Sequence, residues 1–224
     1  MSKNLCILVG NTGHRLFKPA LDSCKRAFEN VVPIDHREAS RELVEYHHRE
    51  VNLLISIFNE HIIDRQLLQH PNVNFHPAPP SYPGRGGASR ALFDGARTYG
   101  ATAHMMQKTV DSGDILCVSG FPISPDDNCE YVFDRAEREC LNLLEQIIDF
   151  HRAEGTLPPI SDHSWSGSSM TRSQFDRWLV LSLDNRLEFE RKIKAAKHSK
   201  YPGPYLELNG HRFAYVGESK TTTT

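Results

Sequence analysis

Three polar side chains supply the residue types of a proton-transfer site. Asn74 and His76 stand one residue apart in Val73-Asn-Phe-His76, and in an extended strand alternate side chains point to the same side. Asp111 follows 35 positions after His76, inside the glycine-containing turn Thr109-Val-Asp-Ser-Gly-Asp114. The amide can donate a hydrogen bond to an oxygen that gains negative charge. The imidazole can give or take a proton, and the carboxylate can orient the imidazole. No serine or cysteine is placed as an obvious nucleophile, which favours direct acyl transfer over a covalent intermediate. The residues alone leave a second reading open, in which Asn74 caps a strand end and His76 is a hydrogen-bonded core histidine.

The elements that must position this set alternate in type. Residues 5–9 are an apolar run ending at Gly10-Asn-Thr-Gly13, which reads as a buried strand entering a turn. A helix is expected over 16–29, a second strand over 31–34 and a polar helix over 41–48. Residues 51–58 are nearly continuously apolar, as a parallel central strand is. After the strand 73–76 the chain stiffens through Pro77-Ala-Pro-Pro-Ser-Tyr-Pro-Gly-Arg-Gly-Gly87, and a helix resumes over 88–97. Residues 101–106 and 115–118 read as two more strands, joined by the turn that carries Asp111. A long amphipathic helix spans 129–152, with Val132, Leu141, Leu144, Ile147 and Ile148 along one stripe. Such alternation implies βαβ units and a doubly wound α/β sheet, with ligands beyond the carboxyl ends of the strands.

Composition shifts at Glu154-Gly-Thr-Leu-Pro-Pro159, which divides the chain into units 1–155 and 156–224. The second unit holds a serine-rich stretch (161–169), one or two helices between 173 and 198, and a hairpin over 205–216. Asn209-Gly210 is the favoured two-residue hairpin turn. The threonine run at 221–224 reads as a frayed tail.

At 224 residues and 39% apolar composition, the chain can bury a core and is not a disordered segment. A net charge of −2 removes the electrostatic basis for coating nucleic acid or an anionic membrane. A local basic pocket for a phosphorylated small molecule stays open. Five cysteines, without a C-x-x-C pair, suit neither a disulfide scaffold nor a zinc ribbon. No apolar run approaches the roughly 18 residues of a membrane span, and the first ten residues do not read as a signal peptide. A soluble, cytoplasmic protein is expected.

The segment Asn74-Phe-His-Pro-Ala-Pro-Pro-Ser-Tyr-Pro-Gly-Arg-Gly86, followed by Val110-Asp-Ser-Gly-Asp-Ile-Leu116, resembles the signature of the N10-formyltetrahydrofolate-dependent formyltransferases. The close match runs over residues 51–123. The resemblance implies a Rossmann-like catalytic domain with a mostly parallel sheet, followed by a short helical and β-hairpin extension. It implies that His76 is the principal acid–base group and that Asn74 stabilises the oxyanion of a tetrahedral intermediate. Asp111 would pair with His76 and help draw a proton from the attacking amine. Its charge would favour an imidazolium at His76. The donor would be N10-formyltetrahydrofolate, with no metal. Folate is expected between Phe58, Asn59, His61, Ile62 and Ile63 on one side and Gln107, Val110 and Asp114 on the other. Ile62 and Ile63 would pack on the pterin or in the core.

Acceptors within this family include glycinamide ribonucleotide, the methionyl group of initiator transfer RNA, and amino sugars on nucleotide carriers. Transfer-RNA enzymes are longer and carry a basic C-terminal barrel, which the residues after 159 do not house comfortably; no nucleic-acid or membrane partner is expected. The glycinamide ribonucleotide enzymes usually carry Lys-Gly where this chain has Arg85-Gly86. The tail, with Trp165, Thr171-Arg172 and Lys200-Tyr-Pro-Gly-Pro204 ahead of the hairpin, is similar to the sugar N-formyltransferases. That resemblance implies a nucleotide-sugar acceptor touching Arg85, Gly86, Trp165, Arg172 and Tyr201. Arg172, Lys194, Lys197 and Lys200 would neutralise a diphosphate or are solvated surface charges. Trp165, Tyr201 and Tyr205 would stack on the ligand or pack beneath the hairpin. The exposed hairpin edge also suits a homodimer. The alternatives are phosphoribosylglycinamide formyltransferase, a formyltetrahydrofolate hydrolase and a non-catalytic folate-binding protein.

Overall fold

The computed structural model describes residues 4–215; Val216 of the expected hairpin and the threonine tail lie outside them. The first strand, β1 (Leu5–Gly10), is followed by α1 (Phe17–Lys25) and β2 (Asn30–Asp35). The segment expected as one helix over 41–48 is instead split into α2 (Ala39–Glu42) and a 3₁₀ turn (Leu43–Tyr46). Only Ala39, Leu43 and Tyr46 are buried there, too narrow a stripe to hold a longer helix against the sheet. The strands β3 (Leu53–Ile57) and β4 (Asn72–His76) follow, then α3 (Gly87–Asp94), β5 (Thr98–His104), β6 (Ile115–Pro122) and the long α4 (Cys129–Glu154). Beyond it come α5 (Arg172–Trp178), α6 (Arg186–Ala196) and the hairpin β7 (Tyr205–Leu208) and β8 (His211–Ala214).

Six strands form one sheet in the order β2-β1-β3-β4-β5-β6. Strands β2, β1, β3 and β4 pair in parallel, whereas β5 pairs antiparallel with both β4 and β6. Within this sheet β5 therefore runs against the other five. The ten residues between β5 and β6 are too few for a parallel crossover, so the pair closes as a hairpin.

Strand alternation divides the sheet into two faces. Cys6, Leu8, Leu53, Ile55, Val73 and Phe75 pack against α1 and α4. The helix α4 presents Cys140, Leu143, Leu144, Ile147 and Ile148 to them, the 3–4 spacing of one helical face. Each buried Leu or Ile there contributes roughly 1.5–3 kcal/mol. Asn128 caps its start by accepting from Tyr131 N–H at 2.8 Å, and Gly155, at φ 72°, ends it. On the opposite face Ile7, Val9 and Leu54 pack with Leu43, Ile63 and Leu67. The same face continues into Ser56, Asn74, His76, Thr102 and His104. A polar row thus replaces the apolar one over β3, β4 and β5. No helix among the described residues is long and apolar enough to cross a membrane.

Candidate active site

The polar row is set by register. Ser56 on β3 lies opposite Asn74 on β4, and Asn74 lies opposite His104 on β5. Ser56 Oγ donates to Asn74 Oδ1 at 2.8 Å, and Asn74 Nδ2 faces His104 Nε2 at 3.1 Å. His104 Nδ1 donates to its neighbour's carbonyl, Met105 O, at 2.8 Å, and its Nε2 faces both Asn74 Nδ2 and the Asp111 carboxylate. The pairing of β5 with β6 slips between Ala103 and His104, an irregularity that re-aims the side chain at the strand end.

Asp111 returns over this face from the β5–β6 turn. Its Oδ2 lies 3.4 Å from His76 Nδ1 and its Oδ1 lies 3.3 Å from His104 Nε2. The Gly84 N–H of the proline-rich loop donates to Oδ2 at 2.8 Å. Asp111 and Phe58 both hold positive φ, 48° and 51°, a backbone state that costs a non-glycine residue energy and clusters at functional sites. The structure brings Asn74, His76 and Asp111 together toward the carboxyl end of β4, whose last residue is His76. Asp111 reaches them over the sheet face because β5 runs antiparallel to β4 and its turn leaves from beside Asn74.

Both nitrogens of His76 face acceptors, Asp111 Oδ2 at Nδ1 and Tyr82 O at 3.1 Å from Nε2. Those contacts favour the doubly protonated ring. Burial acts more strongly in the other direction, so His76 loses its proton below the ordinary value of 6.5. Burial thus weighs against the expected imidazolium, which the contacts of both ring nitrogens favour. Burial opposes ionisation of Asp111 too, but the two imidazoles and the Gly84 N–H outweigh it and hold the carboxyl well below its usual range.

Trp165 covers both imidazoles, with ring centroids 5.0 Å from His104 and 6.0 Å from His76, and donates to Gly113 O at 2.8 Å. Beneath the proline-rich loop the buried Arg90 donates to Pro83 O at 2.6 Å and to Ser168 O at 3.2 Å, pinning loop to tail. Gly86 is explained by geometry: at φ 73° its added Cβ would fall 2.0 Å from the Phe175 ring. Arg85 and Arg172 both reach Glu60, at 3.1 and 2.7 Å. Tyr201 packs edge-on against Phe133 and His198, and Tyr205 is buried under the hairpin with Arg212 over its ring.

Of the expected folate residues, His61, Ile62, Ile63 and Gln107 line one cavity of about 400 Å³. Ile62 is 72% exposed while Ile63 is buried in the core. Phe58 stacks on His14 at 4.2 Å. The side chain of Asn59 staples its own loop, donating to Ser56 Oγ at 3.0 Å and to His61 O at 2.9 Å. Val110 is exposed, and Asp114 contributes its carbonyl to Met105 N–H. Leu43, Val44, Ile62 and Ile63 line that 400 Å³ cavity together with the charged Asp64, Arg65 and Lys108. A larger cavity, about 510 Å³, lies at the amino ends of β1, β3 and β4, near Asn4, Asn52 and His70, and neither cavity is lined by a residue of the polar row. Among the described residues no three His, Cys, Asp or Glu side chains converge as a metal-holding group.

The sequence reading missed His104, Ser56, Glu60 and Arg90. His104 alone carried a signal, the alternation Thr102-Ala-His104 that repeats Asn74-Phe-His76.

The profile of the formyl transferase family matches residues 13–148. The chain belongs to this family. By sequence, the chain is 30% identical over 143 residues to the methionyl-tRNA formyltransferase of Listeria monocytogenes serotype 4a, covering 60% of this chain and 46% of that protein. The chain spans about half the length of the curated relatives it matches. By structure, it superposes on a 4-N formyltransferase from Francisella tularensis with a TM-score of 0.75 at 16% identity, covering 96% of this chain and 97% of that one. The N-formyltransferase from Helicobacter canadensis, solved in complex with folinic acid and dTDP-3-aminofucose, gives a TM-score of 0.70 at 17% identity, over 94% and 86% of the two chains.

Proposed function

We propose that this formyl transferase moves a formyl group from N10-formyltetrahydrofolate to the amine of a nucleotide-linked amino sugar by direct attack. The observation that carries the reading is the convergence of Asn74, His76 and Asp111 on one buried sheet face. The likeness in fold to the Francisella and Helicobacter enzymes runs through the tail, and the dTDP-3-aminofucose held by the Helicobacter enzyme supports an amino-sugar acceptor. The folate supplies an activated formyl carbon. Asn74 Nδ2–H would donate to the formyl oxygen as it gains charge, in place of its present bond to His104. The neutral His76 would take the proton of the attacking amine and return it to the departing nitrogen. Asp111, ionised beside it, would stabilise the imidazolium in between. Ile62 and the Gln107 amide would hold the pterin.

The sequence relatives favour methionyl-tRNA as a second acceptor reading. An acceptor panel with N10-formyltetrahydrofolate, read by product mass, separates the two. Nucleoside-diphosphate amino sugars should gain a formyl group. Formylation of methionyl-tRNA or glycinamide ribonucleotide alone would overturn the acceptor, and release of formate without any acceptor would make the chain a hydrolase.

A further inference from the structure

Three separate segments meet at Glu60. Glu60 lies in the loop after β3, Arg85 in the proline-rich loop, and Arg172 at the start of α5. Arg85 Nη1 is 3.1 Å from Glu60 Oε1, and Arg172 Nη2 is 2.7 Å from Glu60 Oε2, so each carboxylate oxygen takes one guanidinium. Among the described residues neither arginine has another carboxylate within ion-pair distance. The cluster adjoins the reacting residues on both sides. Asn59, the neighbour of Glu60, donates to Ser56, which holds Asn74. Gly84, the neighbour of Arg85, donates to Asp111.

Fold stability does not account for this cluster. The side chains of Glu60, Arg85 and Arg172 are 40%, 38% and 73% exposed, and exposed ion pairs are weak and screened by salt. Two guanidiniums forked onto the oxygens of one anion are, however, the arrangement that recognises phosphate. We propose that Glu60 is an internal stand-in for a phosphate, holding Arg85 and Arg172 in place until the phosphate of an acceptor displaces it. The inference rests on the reading of the acceptor as nucleotide-linked, and it makes Glu60 a residue that sets acceptor affinity. Burial raises the Glu60 pKa, but the arginines more than offset that and keep the carboxyl below its ordinary range. Glu60 is therefore a charged competitor at neutral pH. Displacement leaves the two arginines facing the ligand with their full charge.

Inorganic pyrophosphate, titrated calorimetrically into the full chain without acceptor, tests the site itself. Arg85→Gln and Arg172→Gln should each weaken binding about tenfold, the effect of one lost charge-assisted contact. Glu60→Gln should tighten it severalfold, because the competitor has lost its charge. Arg172→Gln changes a mostly exposed side chain and keeps the test independent of folding. Pyrophosphate binding that neither arginine variant weakens overturns the anion site. Binding to Glu60→Gln no tighter than to the parent chain overturns the stand-in role. A chain that binds pyrophosphate through both arginines yet formylates only a phosphate-free amine would sink the acceptor reading and leave the anion site standing.

Discussion

At His76 the unfolded chain takes up a proton more readily than the folded one, because burial penalises the imidazolium more than Asp111 and Tyr82 O favour it. Below the unfolded value of 6.5 the unfolded state therefore holds more protons, and stability falls as pH drops. Asp111 acts in the same sense at lower pH. Its contribution is present above its unfolded value of 3.8 and is lost as pH falls through the depressed folded value. His76→Gln should flatten the dependence of melting temperature on pH just below 6.5, leaving the slope of His151 and His198, whose pKa values burial also lowers. The same variant should lose about 10²–10⁴ in turnover at pH 7. An unchanged slope would put His76 outside the buried network, and turnover within about threefold of the parent would remove its proton-transfer role. The three reacting residues were legible because an amide, an imidazole and a carboxylate in those positions suggest one chemistry. His104 was not, since only the antiparallel register opposite Asn74 gives it a role. Ser56 was hidden inside an apolar strand, where one hydroxyl changes no periodicity.

Among the elements, the strands were legible wherever they are apolar and flanked by turns, as at β1 and β3. Reversal of β5 was less so, since an apolar run carries no direction. The proline-rich loop read as rigid, but its attachment to the tail did not, because it is made largely by backbone groups without a residue signature. Gly84 is where that attachment is tightest. It holds φ 79°, and an added Cβ would lie 2.3 Å from Met170 O and 2.5 Å from Met170 N. Its N–H also supplies one of the bonds that hold Asp111. Gly84→Ala should cost about 1–3 kcal/mol in urea unfolding, from the left-handed backbone and the forced separation of the two segments. Amide exchange at Arg85, whose N–H donates to Met170 O at 2.7 Å, should accelerate with it. Parent-like stability together with unchanged exchange at Arg85 would show that the loop and tail are not held here.

On the scale of the whole molecule, the composition shift at residues 154–159 marks a division that several side-chain hydrogen bonds cross. Ser161 Oγ donates to Ile115 O at 2.9 Å, Trp165 to Gly113 O at 2.8 Å, Arg90 to Ser168 O at 3.2 Å, and Ser199 Oγ to Glu130 at 2.6 Å. The tail thus completes the cover of the polar row as well as flanking it. Such a seam couples the folding of the two parts, since neither can unfold without exposing what the other buries. The two tryptophans report on two parts of this seam. Trp165 lies against His104, while Trp178 is stacked on Phe175 of the tail at 5.6 Å and edge-on to Phe93 of α3 at 5.4 Å. Trp165→Phe leaves only Trp178 fluorescing, and Trp178→Phe leaves only Trp165. In each variant the fluorescence midpoint in urea should coincide with that of far-ultraviolet circular dichroism, within about 0.3 M. If Trp178 reports an earlier transition than the sheet, the tail unfolds on its own, and Trp165 and Arg172 reach the site as a separable arm.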